Sequence, residues 1–133
     1  MAEVCIDNSV NTCERGVYGI FIIKNNNKRC VYVGKSEEIP IRVKKHKDDI
    51  EKGNHIDSLK EAFNNKDAKI LIKVLQKVPY LFDNYYKDAQ RLASAETYWI
   101  DWYQKANQCL EQVPEGKRPT KEEWERMKRK IGE

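Results

Sequence analysis

The chain has 133 residues, of which 40% are hydrophobic and 35% are charged, and its net charge is +4. This length and composition suit a single domain with one modest hydrophobic core. No apolar run approaches membrane-spanning length, which excludes a helical membrane protein. No apolar run follows a basic start either, so no signal peptide is expected.

The positive charge is concentrated between Lys28 and Lys47. Seven basic and two acidic residues lie in this segment, so the remainder of the chain is close to neutral. A local basic patch is typical of a protein that meets phosphate groups. On charge composition alone, a solvated lysine-rich surface is the more common explanation.

The four cysteines, at positions 5, 13, 30 and 109, match no paired zinc motif. Buried free thiols are therefore the default interpretation. Together with the lack of a signal segment, this favours an intracellular, reducing compartment such as the cytoplasm, with no membrane partner.

A β-hairpin is predicted over residues 17–33. Two runs rich in β-branched and aromatic residues flank Asn25–Asn27, a turn signal because Asn tolerates the left-handed backbone region. If the turn centres on Asn26, Tyr18 and Tyr32 project from the same face as diagonal neighbours, about 7–8 Å apart. Two phenols would then lie close enough to share a ligand.

A helix is predicted next, from about Ile39 to Lys52. Pro40 suits its first turn, and Gly53 suits the position just past its end. His46 falls on the apolar stripe of this helix, and Arg42 lies one turn before it on the same face.

A second, short helix is predicted over residues 58–65, with Ser58 and Glu61 at capping-box spacing. Residues 69–76 contain alternating apolar side chains and are predicted to form a third strand. A long helix follows over residues 83–105. Glu96 falls in the middle of its apolar stripe, where a lone carboxylate is costly unless a cation or hydrogen-bond donors meet it.

These elements divide the chain into three predicted parts: an N-terminal arm at 1–14, a folded domain at 15–113, and a linker with a short basic helix at 114–133. Pro114, Gly116 and Pro119 mark the linker. The terminal helix carries Trp124, Met127 and Ile131, which either contact a second copy of the chain in a homodimer or pack back on the same domain.

Taken singly, each of these polar residues has an ordinary structural explanation. Tyrosines pack well in strands, and a lone histidine on a helix stripe is more often a core residue than a catalyst. Their combination favours phosphodiester hydrolysis, which needs a metal ion, a general base and a cation at the phosphate. Glu96 can hold Mg²⁺, Arg42 can pair with phosphate oxygens, and Lys35 can touch the same phosphate.

The chain resembles the GIY-YIG nuclease family. The resemblance rests on Gly16-Val17-Tyr18, on Tyr32-Val33-Gly34, and on Arg42, His46 and Glu96 in that order. It extends over about residues 16–108 and is strongest to the catalytic domains of phage homing endonucleases, which show a similar run from Tyr32 to His55.

The resemblance implies a small α/β fold with a three-stranded antiparallel sheet flanked by helices. It implies one divalent metal, Mg²⁺ or Mn²⁺, held by Glu96 and water. It also implies that Tyr18 acts as general base, if its pKa is lowered by the site, with help from Tyr32 and His46. Arg42 is implied to bind the phosphate. The family's late asparagine is assigned to Asn107. This asparagine braces the site in the family, and His55 is implied to lie behind the residues that touch the phosphate. The residues expected to contact phosphate or DNA are Lys35, Lys44, Lys45, His55 and Asn107.

The chain departs from the family pattern at two points. Thirteen residues separate the two triplets, slightly more than usual, and the extra length is expected in the asparagine turn. The chain also stops after a short basic helix, so target-site homing is doubtful.

The expected function is a Mg²⁺-dependent DNA endonuclease of stand-alone phage or mobile-element type, located in the host cell if phage-encoded. The alternatives are a restriction or repair-type nuclease on the same scaffold, and a catalytically idle DNA-binding or interaction module.

Overall fold

The computed structural model describes residues 1–112 and 120–132. Its strands and helices, numbered in chain order, are β1 (Glu3–Ile6), β2 (Gly16–Lys24), β3 (Asn27–Ser36), α1 (Ile39–Glu51), α2 (Asp57–Phe63), β4 (Lys69–Lys77), α3 (Tyr85–Lys105) and α4 (Lys121–Gly132). A short 3₁₀ helix at Asn8–Thr12 connects β1 to β2. None of the helices in these described parts is long and apolar enough to cross a membrane.

The α/β fold is confirmed, with one strand more than expected. The sheet has the order β1-β4-β2-β3, and β2 is antiparallel to both β3 and β4. The extra strand is β1, which pairs in parallel with β4 at the sheet edge. It lies within residues 1–14, which were predicted as an arm. With only four residues, it is too short to show a periodic pattern. The boundaries of the three predicted parts remain predictions.

The sheet separates two hydrophobic clusters. One face packs Tyr18, Ile20 and Ile22 of β2 against α1 and α2. The other face packs Val17 and Phe21 of the same strand against α3. Successive side chains of a strand point to opposite faces, so β2, which is buried on both, is apolar almost throughout.

The helix ends follow local signals in α1 but not in α2. Helix α1 has Pro40 in its first turn, and Gly53 just past its end takes a φ of +74°. The predicted capping role of Ser58 is wrong. Helix α2 begins after Ile56, and the buried Ser58 hydroxyl has no hydrogen-bond partner among the described residues.

Three of the four cysteines are buried free thiols, as expected. These are Cys13, Cys30 and Cys109, while Cys5 is half-buried. The Sγ atoms of Cys30 and Cys109 lie 3.3 Å apart and join β3 to the segment that follows α3.

The terminal helix α4 is capped by Thr120, whose Oγ1 accepts a hydrogen bond from the Glu123 N–H at 3.1 Å. Every described side chain of this helix is exposed, including Trp124, Met127 and Ile131. The predicted linker residues Pro114, Gly116 and Pro119 lie outside the described residues.

Both triplet glycines lie where a side chain has no room. A Cβ on Gly16 would overlap the backbone of Gln76 in β4. A Cβ on Gly34 would overlap the hydroxyl end of the Tyr18 ring, which is fully buried and crosses β3 at this point. The glycine that ends the second triplet therefore makes space for the tyrosine that ends the first.

Substituting Gly34 with Ala should destabilise the fold, because the buried Tyr18 ring must move to admit the new methyl group. We expect the free energy of unfolding in urea to fall by about 1–3 kcal/mol, the usual cost of overpacking. Gly132→Ala is the matched control, since its Cβ would meet no atom within 4 Å. Equal stability of Gly34→Ala and the wild type would contradict this account of the triplet.

Candidate active site

The two phenols lie on the same face of the sheet because β3 accommodates one extra residue as a β-bulge between the turn and Tyr32. From the turn, the pairing runs in register up to Phe21 opposite Cys30, and it then continues with Ile20 opposite Tyr32. Val31 is left without a partner and forms a β-bulge. A one-residue shift of register moves side chains to the opposite face, so an unbulged ladder would point Tyr32 away from Tyr18.

The prediction that Tyr18 and Tyr32 share a face is confirmed, but the extra length is not in the turn. Asn25 and Asn26 form a tight two-residue connection, and both have positive φ. Such a turn matches the twist of the flanking strands.

The Tyr18 hydroxyl begins a chain of hydrogen bonds that continues through the two histidines. Its oxygen lies 2.6 Å from His46 Nε2, and His46 Nδ1 lies 2.8 Å from His55 Nε2. The Tyr32 ring contacts both imidazoles, with centroid separations of 5.1 and 5.2 Å. His46 is buried on the α1 stripe, as predicted.

The position of His55 agrees with the expectation that it supports the catalytic residues from behind, and its contact with phosphate or DNA stays a prediction. It is half-buried in the connection between α1 and α2. Its ring stands behind His46, with Nε2 on His46 and Nδ1 on the Ile56 N–H. His55 is therefore placed to act on His46.

The pKa values of the buried groups favour neutral forms. Burial raises the pKa of Tyr18 far above its ordinary value, the nearby Tyr32 adds to this, and the Arg42 guanidinium opposes it. Burial also lowers the pKa of His46 to about 4, so its imidazole is neutral at pH 7. The lowered Tyr18 pKa that a base role requires is absent from the free protein, because desolvation of the phenolate outweighs the effect of Arg42.

Arg42 is the positively charged residue that acts on the phenols, and it lies where the site opens to solvent. It lies one turn before His46 on α1 and is half-buried. Its positive charge acts on both Tyr18 and Tyr32, lowering the pKa of each against the larger effect of burial. A guanidinium stays protonated at any working pH and presents several N–H donors in a plane, which suits phosphate oxygens.

The Glu96 carboxylate is neither lone nor fully buried, in contrast to the prediction. Its side chain is 16% exposed, and its Oε1 lies 3.4 Å from Lys35 Nζ, which is 43% exposed. The buried residues Leu92 and Ile100 lie one turn to either side of Glu96 on α3, and the Glu96 carboxylate faces Lys35 of β3. Lys35 on β3 therefore provides the positive charge that a carboxylate on the apolar stripe of α3 needs.

Glu96 is chemically suited to a hard cation. Its oxygen already attracts the Lys35 ammonium. Among the described residues, no group of three or more His, Cys, Asp and Glu side chains could hold a metal ion. An ion at Glu96 would thus keep most of its waters, a donor set that fits Mg²⁺, which is often held by one carboxylate and substrate phosphates.

The other predicted contact residues divide into two groups. Lys44 and Lys45 are exposed on α1 and free to meet an external phosphate. Asn107 is exposed just past α3 with a φ of +59°, and its described contacts do not include Tyr18, Arg42 or Glu96.

Two glutamines bond to the backbone of β3 beside the site, and the role of Asn107 stays a prediction. Gln112 pairs with the backbone of Val33 through both ends of its side-chain amide, at 2.6 and 2.7 Å. Gln108 Oε1 accepts the Cys30 N–H at 2.6 Å. These hydrogen bonds pair backbone groups of Cys30 and Val33 along the edge of β3 that no strand of the described residues covers, on either side of Tyr32. No periodic or motif signal marks the two residues, because they lie in an irregular segment.

Comparison with known proteins places this geometry in a family. The sequence profile of the GIY-YIG catalytic domain matches residues 17–109. Intron-associated endonuclease 1 of Enterobacteria phage T4 is 31% identical over 83 residues, which is 62% of this chain. The chain spans only 31% of the length of that relative.

A solved structure gives a further similarity. The catalytic domain of the homing endonuclease I-TevI is 25% identical, with a TM-score of 0.45, and the match covers 68% of this chain and 88% of that one. The family profile, which spans most of the chain and both tyrosines, decides the assignment: the chain belongs to the GIY-YIG catalytic domain family.

Proposed function

We infer that the protein is a metal-dependent endonuclease that hydrolyses phosphodiester bonds in DNA, with Mg²⁺ or Mn²⁺ as cofactor. One observation supports this function most directly. Tyr18, His46 and Arg42 lie together on one side of the sheet, and the Glu96 carboxylate lies close enough to act on Tyr18. Family membership and the endonuclease relative from phage T4 support the same reaction class.

Arg42 is proposed to hold the scissile phosphate. It is the half-buried cation nearest the phenols, so a phosphate oxygen bound there would lie beside the Tyr18 hydroxyl. As water attacks phosphorus and the bond to the leaving sugar oxygen breaks, negative charge grows on the phosphate oxygens. A preorganised guanidinium stabilises that charge more than it stabilises the ground state.

Tyr18 is proposed to orient the attacking water and to accept its proton. Because the free protein holds this phenol neutral, the hydroxyl must first release its own proton to bulk water, a loss that a cofactor cation bound nearby would favour. His46 and Arg42 then provide hydrogen bonding and positive charge to its oxygen. A cofactor ion at Glu96 would supply Lewis acidity toward the phosphate and the leaving oxygen.

Lys35 is proposed to change partner when DNA binds. Its ammonium pairs with Glu96 in the free protein, and a phosphate at Arg42 would offer a second anion to the same flexible side chain. Lys44 and Lys45 extend the positive surface along α1 and suit sequence-independent backbone contacts.

A phage or mobile-element role is proposed on the similarity to the T4 intron-associated endonuclease. Dimerisation through the exposed apolar residues of α4 stays a prediction. The alternative of an idle DNA-binding module is separated from a nuclease by the experiments that follow.

Glu96→Gln should abolish Mg²⁺-dependent conversion of supercoiled plasmid, because the amide keeps the shape of the carboxylate but not its charge. EDTA should have the same effect on the wild type. Asp101→Asn removes an exposed carboxylate from the same helix and should leave the rate unchanged. Metal-dependent cutting by Glu96→Gln at the wild-type rate would reject Glu96 as the metal ligand.

Arg42→Ala should lower the single-turnover cleavage rate by roughly a hundredfold or more, as loss of one preorganised donor typically does. Arg42→Lys should recover little, since the planar arrangement of donors is lost. Lys44→Ala is the control, because this exposed lysine should affect DNA affinity and its salt dependence but not the rate at saturating DNA. Equal rates in Arg42→Ala and wild type would exclude the phosphate role.

Tyr18→Phe keeps the ring above Gly34 and removes only the hydroxyl. We expect a rate loss of about 10²–10⁴, the usual contribution of general acid–base catalysis. Tyr103→Phe, which removes a hydroxyl from the other face of the sheet, should leave the single-turnover rate unchanged. If Tyr18→Phe cleaves as fast as the wild type, the hydroxyl takes no part in the chemistry.

A further inference from the structure

A backbone amide at the His55 end of the chain of hydrogen bonds determines which group donates in each bond from His55 to Tyr18. The Ile56 N–H donates to His55 Nδ1 over 2.9 Å. A peptide N–H can only donate, so Nδ1 of His55 must carry the lone pair. A neutral His55 therefore holds its proton on Nε2.

That proton fixes the tautomer of His46. His55 Nε2 lies 2.8 Å from His46 Nδ1 and donates to it, so His46 Nδ1 is an acceptor without a proton. The single proton of a neutral His46 is then on Nε2, which lies 2.6 Å from the Tyr18 oxygen. The Tyr18 oxygen accepts this hydrogen bond.

The opposite direction would bring two donors together. If Tyr18 donated to His46 Nε2, His46 would carry its proton on Nδ1 and donate to His55 Nε2. His55 would then hold its proton on Nδ1, facing the Ile56 N–H at 2.9 Å. Burial lowers the pKa of both imidazoles, so a doubly protonated ring does not relieve this conflict.

His55 reaches His46 because of the way helix α1 ends. The Gly53 N–H bonds to the Ile50 carbonyl and the Asn54 N–H to the Asp49 carbonyl, both within a turn that needs the positive φ of Gly53. This is a Schellman ending, which reverses the chain over the last helical turn. The next residue, His55, is thereby returned to the side of His46.

We propose that His55 is a positioning residue for the hydrolysis inferred above, which holds His46 in its Nε2–H tautomer so that the Tyr18 oxygen is always the acceptor. The proton of Tyr18 is then directed away from the histidines and left for a group outside the chain of bonds. His46 cannot take a proton from Tyr18, because its only unprotonated nitrogen is occupied by His55. Its role is to stabilise negative charge on the Tyr18 oxygen. The effect of His55 on hydrolysis rests on the proposed function, whereas the tautomers follow from the hydrogen-bond geometry alone.

The tautomers can be measured directly by ¹⁵N NMR of the imidazoles in the metal-free, DNA-free protein. The chain contains only two histidines, so the spectrum is simple. We expect both rings at pH 7 to be neutral with the proton on Nε2. A wild-type His46 with its proton on Nδ1 would overturn the proposal, whether or not the protein cleaves DNA.

Two variants test the role of His55. His55→Gln keeps a side-chain N–H that can donate to His46 Nδ1, whereas His55→Leu removes the donor. In His55→Leu we expect His46 to populate both tautomers, and the single-turnover rate to fall about ten- to a hundredfold, as for other residues that orient a catalytic group. DNA affinity should not change. In His55→Gln, His46 should keep its Nε2–H tautomer and most of the rate.

The outcomes separate the two proposals. If the tautomers are as expected but no variant or wild type cleaves DNA, the proposed function fails and the geometry stands. If the wild type cleaves and His55→Leu keeps both the His46 tautomer and the rate, the positioning role is wrong. A rate loss in His55→Leu without a change of tautomer would assign His55 a packing role instead.

Discussion

The site depends on one fully buried phenol, Tyr18, whose oxygen must be satisfied away from water. An unpaired hydroxyl in this position would cost roughly 1–3 kcal/mol. The His46 imidazole meets it at 2.6 Å, which ties the hairpin to α1 and brings Arg42, one turn earlier, to the same mouth. The ring also requires open space above β3, which the absence of a side chain at Gly34 provides. Both triplets and the helix that follows are thus linked through this one side chain.

In the free protein, burial keeps the phenols and imidazoles of the site uncharged. The charged groups around them include Arg42, Asp49 and the Lys35–Glu96 pair. This ion pair has an N–O separation of 3.4 Å and a lysine that is 43% exposed to screening water, so it contributes little stability. It is therefore easily exchanged when an anionic phosphodiester and a metal ion enter. The low cost of separating this pair suits a site that must accept a phosphate and a cation together.

The sequence predicts those parts of the molecule that local signals specify. The turn asparagines, Pro40 and Gly53 set element ends by backbone preference, so the hairpin and α1 could be assigned from single residues. The three antiparallel strands and the placement of Tyr18, Tyr32 and His46 on buried faces followed from periodicity. What could not be read were contacts between distant segments: Lys35 beside Glu96, Gln112 on the edge of β3, and β1 beside β4. These depend on tertiary packing, which periodicity does not encode. The position of His55 behind His46 also required the three-dimensional path of the chain after Gly53.

The Val31 bulge has a consequence for how this hairpin can vary in evolution. Deleting the bulged residue would leave Phe21 opposite Cys30 and Ile20 opposite Tyr32, and only the irregularity would disappear. An odd or even number of residues between the two tyrosines is therefore compatible with the same pair of phenols on the same face. The spacing of the two triplets is then free to drift by single residues, while the identity of their glycines and tyrosines is not. A search for distant relatives should accordingly allow gaps between the triplets and none within them.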